Sequence, residues 1–576
     1  MDSSLSASAL RILEARYLAK DGRGRVVETA KEMFLRVARH VAAAERTFRP
    51  DASAASWENR FFSLLSSLDF LPNSPTLMNA GRALGQLSAC FVLPVEDSLA
   101  SIFDAVRNTA LIHQSGGGTG FSFGRLRPKN DRVSTTGGEA SGPVSFMEIF
   151  NQATDVVRQG GTRRGANMAV LPVDHPDIEE FVTAKRIPGR FANFNLSVGM
   201  PDSFLREVRE NGFHDLVNPR TGRPTGRVKA AGLFDLVTDC AWEGGEPGLL
   251  FLDEINRHNP TPDQGALDAT NPCGEQPLLP YESCNLGSVN LVRMVPRDGK
   301  GAAVDWKKLE DTVFCAVRFL DDVIEVNRYP LTEIDSATRG NRKIGLGVMG
   351  FAHLLIRLGI PYHSPEAIGT AESVMAFIQE KGREASRELA RERGAFPRFK
   401  GSLQDRRGMP PVRNATVTTL APTGTLSLIA GCSPGIEPLF GLSSSRIAAG
   451  NIEISETDPL FLEMMREKGL LTPERVRFVE ENGCLPDDPE IPTGLRRLFE
   501  TACGIPPEFH IRIQAAFQKF TDNAVSKTVN IPASAGREAV RDAFLLAHEL
   551  RCKGVTVYRD GSRAGQVLRC GLHRLC

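Results

Sequence analysis

The chain has 576 residues, 41% hydrophobic and 24% charged, an ordinary globular composition long enough for roughly four average domains or one large catalytic domain with additions. Lysine plus arginine equals aspartate plus glutamate at 69 each, which excludes a strong global field for nucleic acid or a membrane surface. Any anionic ligand is therefore met by a local site.

Residues 1–11 carry no basic stretch followed by an apolar core, so no signal peptide is read. No window approaches the roughly 18 uninterrupted apolar residues of a membrane span. The expectation is a soluble, cytoplasmic protein with neither nucleic acid nor membrane among its partners. Eleven cysteines are sparse and odd in number, which argues against a secreted disulfide framework. In a reducing compartment they are buried spacers, metal ligands or chemistry.

In chain order, residues 1–69 predict a short helical region, with Met33, Phe34, Val37 and Val41 near 3.6-residue spacing. From Phe70 to about Arg563 the texture changes to short apolar runs broken by Gly, Pro, Ser and Asn. Residues 248–252 predict a short buried strand. Residues 416–420, rich in β-branched side chains, predict another that runs into a loop and then apolar 426–430. Residues 397–413 are polar and irregular, as an exposed connection would be. Residues 527–531, 536–550 and 554–558 predict strand, helix and strand, which favours an α/β sheet or barrel with parallel neighbours.

The most informative stretch is Asn271-Pro272-Cys273-Gly274-Glu275, followed by Ser283-Cys284-Asn285-Leu286-Gly287. Pro272 and Gly274 suit a tight loop tip and suit a helix or strand interior poorly. There the amide can hold a hydroxyl, the carboxylate can take a proton, and the thiol has an S–H bond weak enough for radical chemistry. A lone Asn-x-Cys-x-Glu is more often a buried cysteine in a turn. Residues 422–427, Pro-Thr-Gly-Thr-Leu-Ser, offer backbone N–H groups and hydroxyls to an anion at a helix start. They lack a Walker lysine, so the motif alone leaves an ordinary N-cap. Gly116-Gly117-Gly118-Thr119-Gly120 suits close backbone approach to a ligand. Residues 345–350 match G-x-G-x-x-G, but 341–344 are too short and polar for the buried first strand of a dinucleotide fold. Those glycines are ascribed to tight helix packing.

The stretch 70–81, Phe-Leu-Pro-Asn-Ser-Pro-Thr-Leu-Met-Asn-Ala-Gly, followed by Leu87-Ser88-Ala89-Cys90, resembles the substrate-side opening of the ribonucleotide reductase barrel. Asn-Pro-Cys-Gly-Glu resembles that family's finger loop. The resemblance continues through 114–128, 159–167, 175–178, 343–355, 421–438 and 557–561, all in one order. It implies an α/β fold: a ten-stranded barrel of two five-stranded halves with an internal finger loop over 70–563, preceded by helical 1–69. A short cysteine-containing tail, 564–576, follows. It implies that Cys273 is the thiyl radical abstracting hydrogen from C3′, that Glu275 takes the 3′-hydroxyl proton, and that Asn271 holds the substrate hydroxyls. Cys90 and Cys284 become the dithiol that helps expel the 2′-hydroxyl as water; replacing C–OH by C–H needs the two electrons a dithiol supplies. Cys240, Cys315, Cys432, Cys484, Cys503 and Cys552 are expected to be small buried hydrophobes. Pro422, Thr423, Gly424, Thr425 and Leu426 become the substrate phosphate loop, with Ser74, Ala89, Gly118, Pro272 and Gly274 completing the substrate pocket.

Members of that family served by a separate radical subunit carry two adjacent tyrosines near the end of the barrel. Here the place reads Val557-Tyr558, and none of the five tyrosines adjoins another. Anaerobic members lack the glutamate, which is present as Glu275. The resemblance thus points to the adenosylcobalamin-dependent type acting on ribonucleoside diphosphates, with no resident metal ion besides the cofactor's cobalt. It implies a homodimer with a deoxynucleotide or ATP specificity effector near Asp97, Ser98 and Arg127, and communicating loops at 158–167 and 186–195. No ATP-sensing domain, and hence no overall control by ATP, is expected. Cys570 and Cys576 are read as a redox shuttle for a thioredoxin-like reductant, the alternatives being a truncated tail or, with His573, a weak metal site. Three alternatives stand beside this reading. They are a subunit-dependent reductase, an NAD-dependent dehydrogenase resting on 345–350, and a catalytically dead binding protein.

Overall fold

In the computed structural model, which describes residues 5–48, 54–133, 137–157, 165–296, 302–448, 452–563 and 568–571, the N-terminal periodicity becomes helices Ala7–Arg16, Ala30–Ala42 and Ala54–Ser66. Thr29 and Glu32 form a reciprocal capping box, satisfying amides that a helix start leaves bare. Met33, Phe34, Val37 and Val41 are buried. Phe61 packs edge-to-face on Phe319 of helix Trp306–Val326, with centroids 5.1 Å apart.

From Phe70 the chain alternates strands and helices. The strands are β1 (Phe70–Pro72), β2 (Cys90–Val92), β3 (Gly118–Ser122), β4 (Asn167–Pro172), β5 (Phe194–Met200), β6 (Phe213–Asn218), β7 (Arg223–Lys229) and β8 (Gly248–Phe251). Next come β9 (Ala269–Thr270), β10 (Pro277–Leu278), β11 (Ser283–Asn290), β12 (Ile344–Met349), β13 (Ser443–Ala448) and β14 (Ile452–Thr457). The last are β15 (Thr528–Ile531), β16 (Gly554–Arg559) and β17 (Leu568–Cys570).

Ten strands form one large sheet in a mixed α/β fold. Its order is β11-β2-β3-β4-β5-β8-β16-β15, with β1 beside β2 on one edge of β11 and β12 on the other. β2, β3, β4, β5 and β8 run parallel. So do the pairs β11–β12 and β15–β16, whereas the junctions β2–β11 and β8–β16 are antiparallel. Residues 416–420 are extended as predicted, with parallel bridges from Thr418 to Leu346 and from Leu420 to Val525. The predicted β-α-β near the end is β15, helix Arg537–Glu549 and β16. No helix among the described residues is long and apolar enough to cross a membrane.

Two expectations change. Residues 345–350 are not a turn before a helix; Ile344–Met349 is β12 itself, buried throughout. A Cβ on Gly347 would lie 2.2 Å from the Thr419 carbonyl oxygen, and one on Gly345 would lie 2.7 Å from Gln276 Nε2. These glycines admit a neighbouring strand and the β9–β10 hairpin, not a helix and not a dinucleotide. Residues 342 and 343 are buried despite their charge, because Arg342 pairs with Asp321 at 2.7 Å and Lys343 with Glu282 at 2.6 Å. Residues 397–413 are more than an exposed connection, since Val412 joins Phe396 and Ala415 in a small core.

The helical region is pinned to the sheet through a buried ionic cluster. Arg393, at the end of helix Pro365–Arg393, contacts Asp321 at 2.8 Å, Asp322 at 2.7 Å and Glu45 at 2.7 Å, all four side chains being almost wholly buried. Removing the cation leaves Asp322 buried without an ion-pair partner among the described residues, while Glu45 keeps Arg318 and Asp321 keeps Arg342. Arg393→Met is expected to cost about 3–5 kcal/mol, read as a lower urea midpoint for the first unfolding transition.

Candidate active site

β9 and β10 pair to present residues 271–276 as a tip. The tip is locked by its own hydrogen bonds. Asn271 N–H donates to the Gln276 carbonyl at 3.2 Å, and Gly274 N–H to the Asn271 carbonyl at 3.1 Å. Gly274 has φ +82°, a left-handed conformation that favours glycine. Asn271 Oδ1 accepts from Gln276 N–H at 3.0 Å, and Nδ2 reaches Cys90 Sγ at 3.1 Å. Asn195, closing the 186–195 loop on β5, donates to the Pro272 carbonyl at 2.7 Å.

The glycines of β3 accommodate this hairpin. A Cβ on Gly120 would lie 1.7 Å from the Thr270 carbonyl oxygen, and one on Gly118 would lie 2.9 Å from Pro272 Cγ. At these two positions the glycines make room for the protein's own hairpin. A small inner core packs Ala269 and Leu278 of the hairpin with Cys90, Val92, Met168, Val170 and Leu250 of the sheet.

Cys90 and Cys284 are direct cross-strand partners on β2 and β11. Facing residues of this kind have Cβ atoms about 4.5–5.5 Å apart, close to disulfide geometry. Both are buried, and burial pushes the Cys284 thiol well up, against the pull of Lys343. Its Sγ lies 3.4 Å from the Asn285 carbonyl and 3.5 Å from that of Lys343. Glu275 is buried, its carbonyl held by Ala524 N–H at 2.9 Å and Thr419 Oγ1 at 2.8 Å, and its charge acts on Cys284. The structure thus gathers Asn271, Glu275, Cys90 and Cys284 around the tip that carries Cys273.

Of the nine cysteines with described side chains, Cys273 alone is exposed. Burial pushes Cys240 and Cys503 up to about 11, and Cys315 and Cys552 up to about 12. Cys240, Cys315 and Cys552 are buried as expected, whereas Cys432, Cys484 and Cys503 are only partly so. Because a thiol reacts as an accessible thiolate, iodoacetamide is expected to modify Cys273 first among these nine. Mass mapping of alkylated peptides over time checks the order.

The hydroxyls of 422–427 also have partners within the protein. Thr423 adopts φ +52° before helix Gly424–Ala430, and its Oγ1 accepts from Gly435 N–H at 2.7 Å. Thr425 Oγ1 accepts from Arg16 at 3.4 Å, and Ser427 Oγ donates to the Gly424 carbonyl at 3.2 Å. Of these hydroxyls only Ser427 spends its proton on the protein; Thr423 and Thr425 accept and keep theirs to donate. Sequence reading missed Arg16 and Tyr17, whose hydroxyl meets Ser74 Oγ at 2.8 Å. They lie in the helical region, outside any motif. Ala89 donates to the Cys284 carbonyl at 3.1 Å and accepts from Gly118 N–H at 2.8 Å, joining those three positions.

Cys273 opens on a cavity of about 360 Å³ walled by β5, β8 and β16. Gly245, Gly248 and Gly554 stand in that wall, as do Ser197, Thr556 and Tyr558. Its charged groups are internally matched: Glu246 with Lys185 at 2.7 Å and with Arg563, and Lys527 with Glu437. Elsewhere, Arg127 pairs with Asp97 at 2.8 Å and Ser98 caps helix Leu99–Gln114. Residues 158–164, Cys576 and the side chain of Cys570 lie outside the described residues. The Cys570 backbone pairs with Ser444 in the β14-β13-β17 sheet, separate from the large one.

Residues 88–558 match the family model for the ribonucleotide reductase barrel domain, and residues 3–85 that for the ribonucleotide reductase all-alpha domain. A vitamin B12-dependent ribonucleoside-diphosphate reductase of Mycobacterium tuberculosis is 53% identical, over 98% of this chain and 80% of its own length. The protein of that name from Thermoplasma acidophilum is 48% identical, over 99% of this chain and 81% of its own. The ribonucleoside-diphosphate reductase subunit alpha of Chlamydia trachomatis is 28% identical, over 93% and 57%. Likeness of this extent, running through the helical region and the sheet alike, makes the chain a member of the ribonucleotide reductase family.

Proposed function

We propose that the chain is an adenosylcobalamin-dependent reductase that converts ribonucleoside diphosphates to deoxyribonucleotides. The observation that carries the reading is one exposed thiol, Cys273, on a hairpin tip that also bears Asn271 and Glu275, beside the paired cysteines Cys90 and Cys284.

Cys273 Sγ, as the thiyl radical, takes hydrogen from C3′ and returns it at the end of the cycle. Glu275 accepts the 3′-hydroxyl proton, and the Asn271 amide orients the hydroxyls. The Cys90 and Cys284 thiols deliver two electrons and two protons. One ribonucleotide and two thiols thus become one deoxyribonucleotide, one water and one disulfide. A buried thiol of raised pKa suits this work, because it holds its hydrogen until the substrate takes it. The substrate's phosphates meet the backbone amides of 424–426, with Ser74, Ala89 and Gly118 around the sugar. Cys570 and Cys576 relay electrons from a thioredoxin-like reductant.

The wall facing Cys273 fits the cofactor, since glycines replace side chains there and its charges are already matched. Gly245, Gly248, Gly554, Ser197, Thr556 and Tyr558 would hold it. When bound, adenosylcobalamin supplies the radical through its weak cobalt–carbon bond. Tyr558 is the one tyrosine among the lining residues, which disfavours a tyrosine-pair relay from another subunit.

Residues 1–69 then form the helical region, 70–563 the catalytic barrel and 564–576 the tail. The barrel closes with β2, β3, β4, β5 and β8 as one half and β11, β12, 416–420, β15 and β16 as the other. The bridges at Thr418 and Leu420, which join β12 to the chain before β15, support that closure. A homodimer through helices Leu99–Gln114 and Pro143–Val156 is supported by exposed Leu99, Phe103, Leu111 and Val156. An effector beside Asp97, Ser98 and Arg127 would lie at that face.

The test is CDP reduction by the purified chain with dithiothreitol, with and without adenosylcobalamin. Cofactor-dependent dCDP is expected, and without reductant each dCDP formed should remove two thiols. No turnover of CDP or CTP with effectors present would overturn the cobalamin assignment.

A further inference from the structure

A second cavity, of about 710 Å³, lies at the end of the sheet opposite Cys273. It is lined by Thr416, at the start of the 416–420 strand, and by Lys553, just before β16. The Cys273 cavity is lined by Pro422 and Tyr558, at the far ends of the same two strands. Nothing in the proposed reaction uses this second space. Part of its wall is the 403–412 connection.

In a chain of zero net charge, seven lysines and arginines line this cavity against three carboxylates. The carboxylates are already engaged: Asp522 with Arg383 at 2.7 Å, Glu372 with Lys519 at 3.3 Å, and Glu254 with Arg551 at 3.2 Å. Arg387 and Arg407 have no carboxylate within ion-pair distance among the described residues. Lys553 is buried, yet its Nζ donates to the backbone carbonyls of Asp522 at 2.6 Å and Asn523 at 2.7 Å and not to a carboxylate. Burial pulls its pKa down to about 8, and a nearby anion would raise it again.

Two further atoms define the ligand. Gln518 is 7% exposed, and its Nε2 donates to the carbonyls of Thr521 and Asn523, while its buried Oε1 accepts from nothing. Gln404 repeats the pattern, with Nε2 bonded to the Ala415 carbonyl and Oε1 buried and unmet. Buried acceptors without donors are uncommon, because each forfeits its hydration. Both line the cationic cavity. A bare polyanion would answer the cations alone. A ligand carrying both anionic oxygens and N–H or O–H donors answers all of them.

We propose that this cavity binds a nucleoside polyphosphate, its phosphates against Arg387, Arg407 and Lys553 and its base or sugar donors toward Gln404 and Gln518. The site is distinct from the phosphate loop at 422–426 and from the Asp97–Arg127 face.

Calorimetric titration of the full chain, and of its double variant Arg387→Glu with Arg407→Glu, with ATP and separately with inorganic tripolyphosphate tests this, no other nucleotide being present. The parent is expected to bind one more ATP per chain than the variant, at a site that holds ATP about tenfold or more tighter than tripolyphosphate. The double variant Arg387→Glu with Arg407→Glu, at one half-buried and one exposed position, should weaken both ligands at least tenfold. It should leave CDP reduction without ATP unchanged. Gln404→Leu should remove most of the advantage of ATP over tripolyphosphate. ATP binding that is absent, or unaltered by the charge reversal, overturns the site. Tripolyphosphate binding as tightly as ATP overturns the nucleoside part. Because these are binding readouts, they stand apart from CDP turnover, and failure of either reading is seen on its own.

Discussion

Cys273→Ala should lower cofactor-dependent CDP reduction by about a thousandfold or more, the scale seen when an indispensable reacting group is deleted. The side chain is exposed at a tip whose shape is set by backbone hydrogen bonds and by Gly274, so its removal opens no core cavity. Stability should stay within about 0.5 kcal/mol of the parent, as for other exposed substitutions. The informative comparison is therefore a turnover assay beside a thermal melt. Loss of rate with an unmoved melt assigns the chemistry to the sulfur. Residual activity above a hundredth would remove Cys273 from the radical position. Cys432→Ala, which alters a cysteine outside the site, should leave turnover near the parent value.

The second large effect is expected from a single methyl group. Gly120→Ala places a Cβ 1.7 Å from the Thr270 carbonyl oxygen, where contacts under 3.0 Å essentially never occur. β3 cannot retreat, because it is hydrogen-bonded to β2 on one side and β4 on the other. The β9–β10 hairpin must move by about 1 Å or more, taking Asn271, Cys273 and Glu275 with it. A displacement of that size at a reacting centre costs about a hundredfold in rate. Overpacking should also remove about 1–3 kcal/mol of stability. Gly369→Ala is the control, since a Cβ there meets nothing within 4 Å on helix Pro365–Arg393. Normal kcat in Gly120→Ala would mean that β3 does not set the height of the tip.

Much of the site was legible before folding, and the reason is local. Pro272 fixes its φ and breaks regular pairing while Gly274 admits a positive φ, so a loop tip followed from φ preferences alone. The capping box at Thr29 and the spacing of Met33, Phe34, Val37 and Val41 likewise needed only helix geometry. The phosphate loop was half legible. A strand, a glycine and a helix start predict an anion site, but that the hydroxyls of Thr423 and Thr425 also accept from Gly435 and Arg16 depends on groups outside the motif.

What the chain determines by itself, then, is conformation wherever neighbouring residues compete over φ, ψ and caps. It also determines the kind of chemistry its Asn-x-Cys-x-Glu tip can do. Only the tertiary structure decided which buried run was a strand, as at 344–349, where glycines make room for the β9–β10 hairpin and the 416–420 segment. It alone set Cys90 opposite Cys284, and buried Arg342 and Lys343 among carboxylates. The physical reason is that strand pairing and ion burial are settled by partners far along the chain. Their energies do not exist until the sheet brings those partners together.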